Sequence, residues 1–307
     1  MARTPLFSRV QPGGVFMITD PGYTPGDTFF VHSGTGTNGA GYGRNPDSPV
    51  ATIDYAIGLC TANKGDVIYV LPGHNEGLGN AQIAVDVDGI SIIGLGRGSA
   101  APRIDFDHAN ASIDVIADGC TLRNLRLLPS VTAVLIAVDV VAGATDTLLD
   151  GLETLPGEDG AGVDEFANTV DIKAGCDRTR VENCTFTQHA SAAGVIACVK
   201  LTGASDGVVV RNCVAWTAGA GLVAPVNGDT TLSTNLLIEN CTLTTDAEPG
   251  IELLTGTTGV IRNVDIFSNL ATIAAATVAD GMAHFRVRYV EVGNESDAVV
   301  KTASIDD

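Results

Sequence analysis

Short runs that alternate apolar and polar residues recur along most of this chain, and one of them returns almost unchanged. Val181-Glu182-Asn183-Cys184-Thr185-Phe186 comes back as Val210-Arg211-Asn212-Cys213-Val214-Ala215 and as Ile238-Glu239-Asn240-Cys241-Thr242-Leu243. Looser copies are centred on Asn124 and Asn263, and two more carry glycine at the central position, Gly94 and Gly151. The seven pivots are spaced 30, 27, 32, 29, 28 and 23 residues apart. Recurrence at this period means stacked structural units, each burying its apolar side against the next.

Only asparagine and glycine occupy the pivots. These residue types share one conformational property, tolerance of the left-handed backbone region. Each pivot is therefore expected to be a bend between two short strands with apolar residues inside and polar ones outside. Most copies also carry an upstream strand ending in a turn: Ile83 to Gly89, Ile113 to Gly119, Val170 to Gly175. Three strands and two or three turns per unit predict an all-β parallel β-helix. An antiparallel sandwich would need hairpins and leaves the in-register bend residue unexplained.

The pattern divides the chain into four parts. Residues 1–26 are interrupted by four prolines, and the apolar residues Leu6, Phe7, Val15, Phe16 and Ile18 have few local partners, which predicts an arm that packs on the solenoid or docks elsewhere. Residues 27–65 hold a glycine-rich connector and one amphipathic helix. Ser48 is the expected N-cap, Pro49 the first helical residue, Val50, Ile53, Ile57 and Cys60 the apolar stripe, and Gly65 the C-terminal cap. Such a helix would cap the raw edge of the first coil. Coils are expected over 66–268. Residues 269–307 read as a last coil or cap, with Phe285 to Val292 as a strand. Two stretches lengthen their coils, Thr154–Asn168 with four acids and Ala218–Thr234 with glycine and polar residues.

Charge narrows the possible partners. With 17 basic against 36 acidic residues the formal net charge is −19, a surface that repels nucleic acid and anionic lipid. No stretch is long and apolar enough to span a bilayer, and the first residues show no apolar leader core, so synthesis in the host cytoplasm without a signal peptide is expected. Seven cysteines include no C-x-x-C pair. Cys184, Cys213 and Cys241 follow successive pivots, which predicts a column of buried thiols rather than a metal site or disulfides.

The run Asn45-Pro46-Asp47-Ser48-Pro49-Val50-Ala51-Thr52-Ile53, followed by Lys64-Gly65-Asp66-Val67-Ile68-Tyr69-Val70-Leu71-Pro72-Gly73, resembles the opening module of right-handed parallel β-helix proteins of the pectate-lyase-like superfamily. That resemblance implies a right-handed solenoid. It leaves function open, because the superfamily includes lyases, hydrolases, epimerases and inert virion parts. Its pectate lyases use a calcium-binding acid cluster and an arginine base. The residues here that come nearest are Asp86, Asp88, Asp105 and Asp107 as ligands, with Arg103 beside them, Asp105 and Asp107 lying on one outer face. No Arg-x-Pro-x-x-Arg follows, and outward polar residues on any strand produce the same pattern. The polygalacturonase motifs do not occur in order, one Trp offers little for sugar stacking, and the five histidines are scattered as surface or turn residues.

No catalytic residue, metal or cofactor is therefore assigned. The expected function is a non-enzymatic structural part of a virus particle, of the bacteriophage head-decoration or spike/fibre type. Its partners would be other virion proteins and further copies of itself, a trimer being favoured by the virion proteins it resembles. The alternative is a polysaccharide lyase or hydrolase acting on an acidic glycan.

Overall fold

The computed structural model describes residues 26–132, 134–157, 164–188, 194–216, 222–245 and 249–268, together with the backbone strands Met282–Phe285, Arg288–Glu291 and Val299–Thr302. The expected arm residues Leu6, Phe7, Val15, Phe16 and Ile18 lie outside the described residues.

The chain winds as a right-handed parallel β-helix. From Val67 to Leu253 each coil lays one strand in each of three sheets. Sheet 1 has ten strands, from Thr28–Val31 through Val67–Val70 to Met282–Phe285. Sheet 2 also has ten, from Asn75–Gly77 to Val299–Thr302, and sheet 3 has seven, from Gln82–Val85 to Ile251–Leu253. Neighbouring strands pair in parallel, as in Val181↔Val210 and Val210↔Ile238. The final pair, Arg288–Glu291 with Val299–Thr302, is antiparallel.

Period-2 alternation builds the interior. In Arg103–Phe106, Ile104 and Phe106 are buried while Arg103 and Asp105 face outward. Phe106 and Phe166 meet edge to face with ring centroids 5.0 Å apart. Cys184, Cys213 and Cys241 are buried in the same column, and each thiol donates to a carbonyl two residues back, to Glu182 O, Arg211 O and Glu239 O, at 3.2 Å each.

The bends sit between sheets 1 and 2. Asn124, Asn183, Asn212, Asn240 and Asn263 have φ between 52 and 56°, and Gly151 has 64°. Their side chains stack into a hydrogen-bonded column. Asn263 Nδ2 donates to Asn240 Oδ1 (3.1 Å), Asn240 to Asn212 (3.3 Å), Asn212 to Asn183 (3.2 Å), and Asn183 to the carboxylate of Asp150 (2.7 Å). Gly94 departs from the expectation, because it is not among the positive-φ residues. A β-carbon there would lie 2.0 Å from Asn124 O, so close backbone approach demands its glycine, and Asn124 Nδ2 donates to Gly94 O.

A second left-handed column lies at the corner between sheets 3 and 1. It comprises Asn63, Gly89, Gly119, Asp146, Arg178, Gly207 and Asn235. The backbone N–H of Gly89 donates to Asp118 O, that of Asp146 to Asp177 O, and that of Arg178 to Asp206 O, at 2.8 to 2.9 Å.

The helix is shorter than expected. It spans Ile53–Ile57, with Thr52 as N-cap accepting from Tyr55 N–H and Gly58 as C-cap, rather than running from Ser48 toward Gly65. Val50 is extended instead, its N–H donating to Phe30 O, so the upstream part of the apolar stripe is spent on sheet-like pairing. Asp54 Oδ1 accepts from Ala84 N–H on the first strand of sheet 3 (3.3 Å). The glycine-rich connector is tied down by Asn38, whose side chain accepts from Ala51 N–H and donates to Thr52 Oγ1.

Candidate functional site

The sequence-derived candidates are not brought together. Arg103 and Asp105 pair with each other on one strand of sheet 2, Arg103 Nε to Asp105 Oδ1 at 2.8 Å. Asp107 lies in the turn leading to sheet 3 and accepts from Gly79 N–H. Asp86 and Asp88 follow sheet 3 at the opposite corner, where Asp88 accepts from Asp118 N–H (3.1 Å) and Asn63 Nδ2 (3.3 Å). Asp88 and Asp107 close turns and hold neighbouring coils. Among the described residues no group of three or more His, Cys, Asp or Glu is placed to hold a metal ion. His74 also departs from expectation. It is buried, with Nδ1 accepting from Ser33 N–H and Nε2 bonded to Glu76, which also accepts from Ile53 N–H. A backbone N–H can only donate, so His74 carries its proton on Nε2 and pins the connector and helix to the first coil.

A different arrangement emerges on the outer face of sheet 3. Strand register places Asp114, Asp139, Asp171, Lys200, Asn227 and Glu252 side by side on successive coils. Neighbouring rungs stand about 4.8 Å apart. Asp139 Oδ2 lies 3.1 Å from Lys173 Nζ, which also reaches Asp171 at 3.8 Å. Ser112 Oγ donates to Asp114 (2.6 Å), and Thr202 Oγ1 donates to Asp171. Burial pushes the Asp139 carboxyl above the ordinary range, against the opposing pull of Lys173. Burial also works against the charge on Lys173, but Asp139 and Asp171 outweigh it and raise the ammonium.

Next to this row lies a groove of about 380 Å³, lined by Asn110, Ser112, Asp114, Leu135, Ile136 and Asp139 among others. Later coils carry a cover upstream of the row. On the strands that carry the row, Ala137 and Cys198 join the main core and Thr169 is buried as well. The segments entering these strands bind one another, Gly194 N–H to Glu165 and Val223 N–H to Ile196 O (3.0 Å), and they bury Val195 with Leu222. Glu165 and Leu222 with Val223 belong to the two lengthened stretches that the sequence marked, whereas Gly194 to Ile196 lie between them. Chemically, the groove offers carboxylates, a hydroxyl and exposed aliphatic surface to a polar ligand.

Elsewhere the basic side chains serve the stacking of coils. Arg123 bonds Asp150, Arg126 bonds Glu153, Arg178 bonds Asp146, Arg211 bonds Glu182 and Arg262 bonds Glu239. Between Arg44 and Arg262, only Arg97 and Lys200 among the described basic residues stand outside an ion pair.

Comparison with known proteins agrees on architecture. The family described as right handed beta helix region matches residues 164–288. The pectate lyase Pel9A superposes with a TM-score of 0.59 at 13% identity, over 91% of this chain and 80% of that one. The pectate lyase Bsp165PelA from Bacillus sp. N165, solved with trigalacturonate, gives 0.52 at 14% identity, over 93% and 87%. A Geobacillus virus E2 protein, ORF18, superposes at only 0.37 and 12% identity, over 87% and 61%, too loosely to bear on either fold or function. No curated protein matches the sequence. At these identities the likeness is one of fold.

Proposed function

We propose that this chain is a non-enzymatic structural component of a virus particle, of the phage head-decoration or spike/fibre type, with the solenoid as a rigid outward-facing module. The observation that supports this reading is the fate of its positive charge. Arginine after arginine is spent on a carboxylate of a neighbouring coil, leaving a surface of net charge −19 with little to attract an acidic polymer. Its partners in this reading are other virion proteins and two further copies of itself. Mass spectrometry and immunogold labelling of purified particles test the reading. Stoichiometric presence at one particle site is expected, and absence from particles overturns it.

The Asp139 environment favours a second reading, a lyase or hydrolase acting on an acidic glycan. Asp139 Oδ1 is buried without a hydrogen-bond partner and its carboxyl is raised, as a general acid requires. Incubation with a panel of acidic glycans, with and without calcium, separates the two. Under the structural reading no product forms. Turnover that disappears in Asp139→Asn establishes the enzymatic one.

A further inference from the structure

The groove on sheet 3 is a gap in a cover that the chain makes for itself. Ile136, Asn168 and Ala197 are register partners on successive coils. Asn168 and Ala197 are buried beneath the segments that join Gly194 to Glu165 and pack Val195 on Leu222. Ile136 is partly exposed, and Leu135 beside it is 54% exposed. The groove therefore lies where the first three strands of the sheet, Gln82–Val85, Ser112–Val115 and Val134–Val140, are left open. Beyond this apolar bed stand Asp114 and Asp139, register partners about 4.8 Å apart. Lys173 engages Asp139 Oδ2, while Asp139 Oδ1 has no hydrogen-bond partner.

What covers the later coils is peptide, and the chain holds a peptide of matching chemistry. Of its 36 acidic residues none precedes Asp20, whereas Arg3 and Arg9 flank Leu6 and Phe7. Pro5 disfavours a helical turn at Thr4. In an extended run Arg3, Pro5, Phe7 and Arg9 share one face, with Phe7 and Arg9 roughly 7 Å apart. An aromatic ring suits the aliphatic bed, and a guanidinium supplies the paired donors that carboxylates accept. The 25 residues before Gly26 lead away from the first edge of the solenoid, where Asp27 N–H is held by Asp66. Extended, they span up to roughly 80 Å, enough to reach a neighbouring molecule. Pro21 and Pro25 stiffen the exit against doubling back.

We propose that residues 3–10 of one copy dock in the sheet 3 groove of a second copy, Phe7 against Leu135 and Ile136, Arg9 against Asp114 and Asp139. Each copy gives one segment and presents one groove, a head-to-tail contact that closes into a ring. The number of copies rests on the trimer of the proposed function; the contact itself needs no particle.

Two full-length single variants, Phe7→Cys and Leu135→Cys, are mixed and oxidised with diamide, so that any disulfide joining them is between molecules. A covalent dimer is expected on non-reducing electrophoresis, and none when Ile116→Cys, an exposed position outside the groove, replaces Leu135→Cys. No dimer, or as much with Ile116→Cys, overturns the proposal. So does a double variant, Phe7→Cys with Leu135→Cys, that closes its disulfide only within one chain. Sedimentation equilibrium gives a second measure. Arg9→Glu, outside the solenoid, should raise the Kd of self-association at least tenfold, and Asp114→Lys in the same chain should recover most of the loss. Unchanged association of Arg9→Glu, or a monomeric wild type, overturns the proposal. A trimer that persists without this contact leaves the virion reading standing, and absence from particles removes that reading without touching the contact.

Discussion

At the scale of single residues, conformation decides identity more than chemistry does. Asn212 has φ 54° and both donates to and accepts from its neighbours in the column. Asn212→Gly should keep the bend and lose only the stacking, a small cost. Asn212→Val places a β-branched side chain at positive φ and should cost roughly 1–3 kcal/mol more, an ordering that denaturant midpoints will read directly. An ordinary strand position would give the reverse order. The same scale shows what the sequence could and could not reveal. Five pivots were legible because asparagine advertises the left-handed bend by itself. The second column was legible only in part: turns were expected at Gly89 and Gly119, but Asp146 and Arg178 hold φ 57° while locked to each other by a two-point ion pair, Nε to Oδ1 and Nη2 to Oδ2 at 2.7 Å. No residue-type preference announces that arrangement. The column of thiols carries its own expectation. Contact with a neighbouring thiol, and burial after it, push Cys213 and Cys241 far above the ordinary thiol range, so little thiolate forms in the native state. Alkylation at about pH 8 should leave both unmodified until denaturant is added, as read by peptide mass.

At the scale of elements, the opening module is held by polar contacts as much as by packing. Asp27 receives Arg44 (3.0 Å) and Lys64 (2.6 Å), and hydrogen bonds from these two cations hold its carboxyl down, from the ordinary 3.8 to about 2. The sign follows from linkage. A carboxyl depressed in the folded state contributes stability above its unfolded value and loses it as pH falls toward the folded one. Acidification from about pH 4 to pH 2 should therefore loosen this module, and Asp27→Asn should abolish that part of the acid response, measured by hydrogen exchange at Val67, whose N–H donates to Asp27 O. The sequence overextended the helix here for a physical reason. Val50, Ile53 and Ile57 do form an apolar stripe, but Val50 contributes to it from an extended strand-like segment, which hydrophobic spacing alone does not separate from a helical turn. The sheet 3 row was hidden differently. Its six members are of four residue types and lie at unequal spacings, so strand register is needed to reveal them as neighbours.

At the scale of the whole molecule, the repeat divides labour among its faces. All three sheets and the two bend columns hold coil to coil, and sheet 3 also carries the groove. In the virion reading, the N-terminal arm supplies attachment. Removal of residues 1–26 should leave a soluble protein with unchanged far-ultraviolet circular dichroism that no longer forms oligomers or joins particles. Normal assembly of the truncated protein would reduce the arm to a strap.

The asparagine column also has a direction. A carboxylate can only accept, so Asp150 obliges Asn183 to offer its amide nitrogen, and this leaves the Asn183 oxygen for Asn212, and so on to Asn263. Each side chain thus gives its hydrogen to a partner earlier in the chain. A ribosome delivers the chain in that same order. Each newly released side-chain amide meets an oxygen that is already in place, while the backbone N–H groups of Asn183, Asn212 and Asn240 donate forward, to Arg211, Glu239 and Arg262 O of the next coil. Two opposed currents therefore run through the same bends, side-chain hydrogens toward the first coil and backbone hydrogens toward the last, and each bend is tied to both its neighbours.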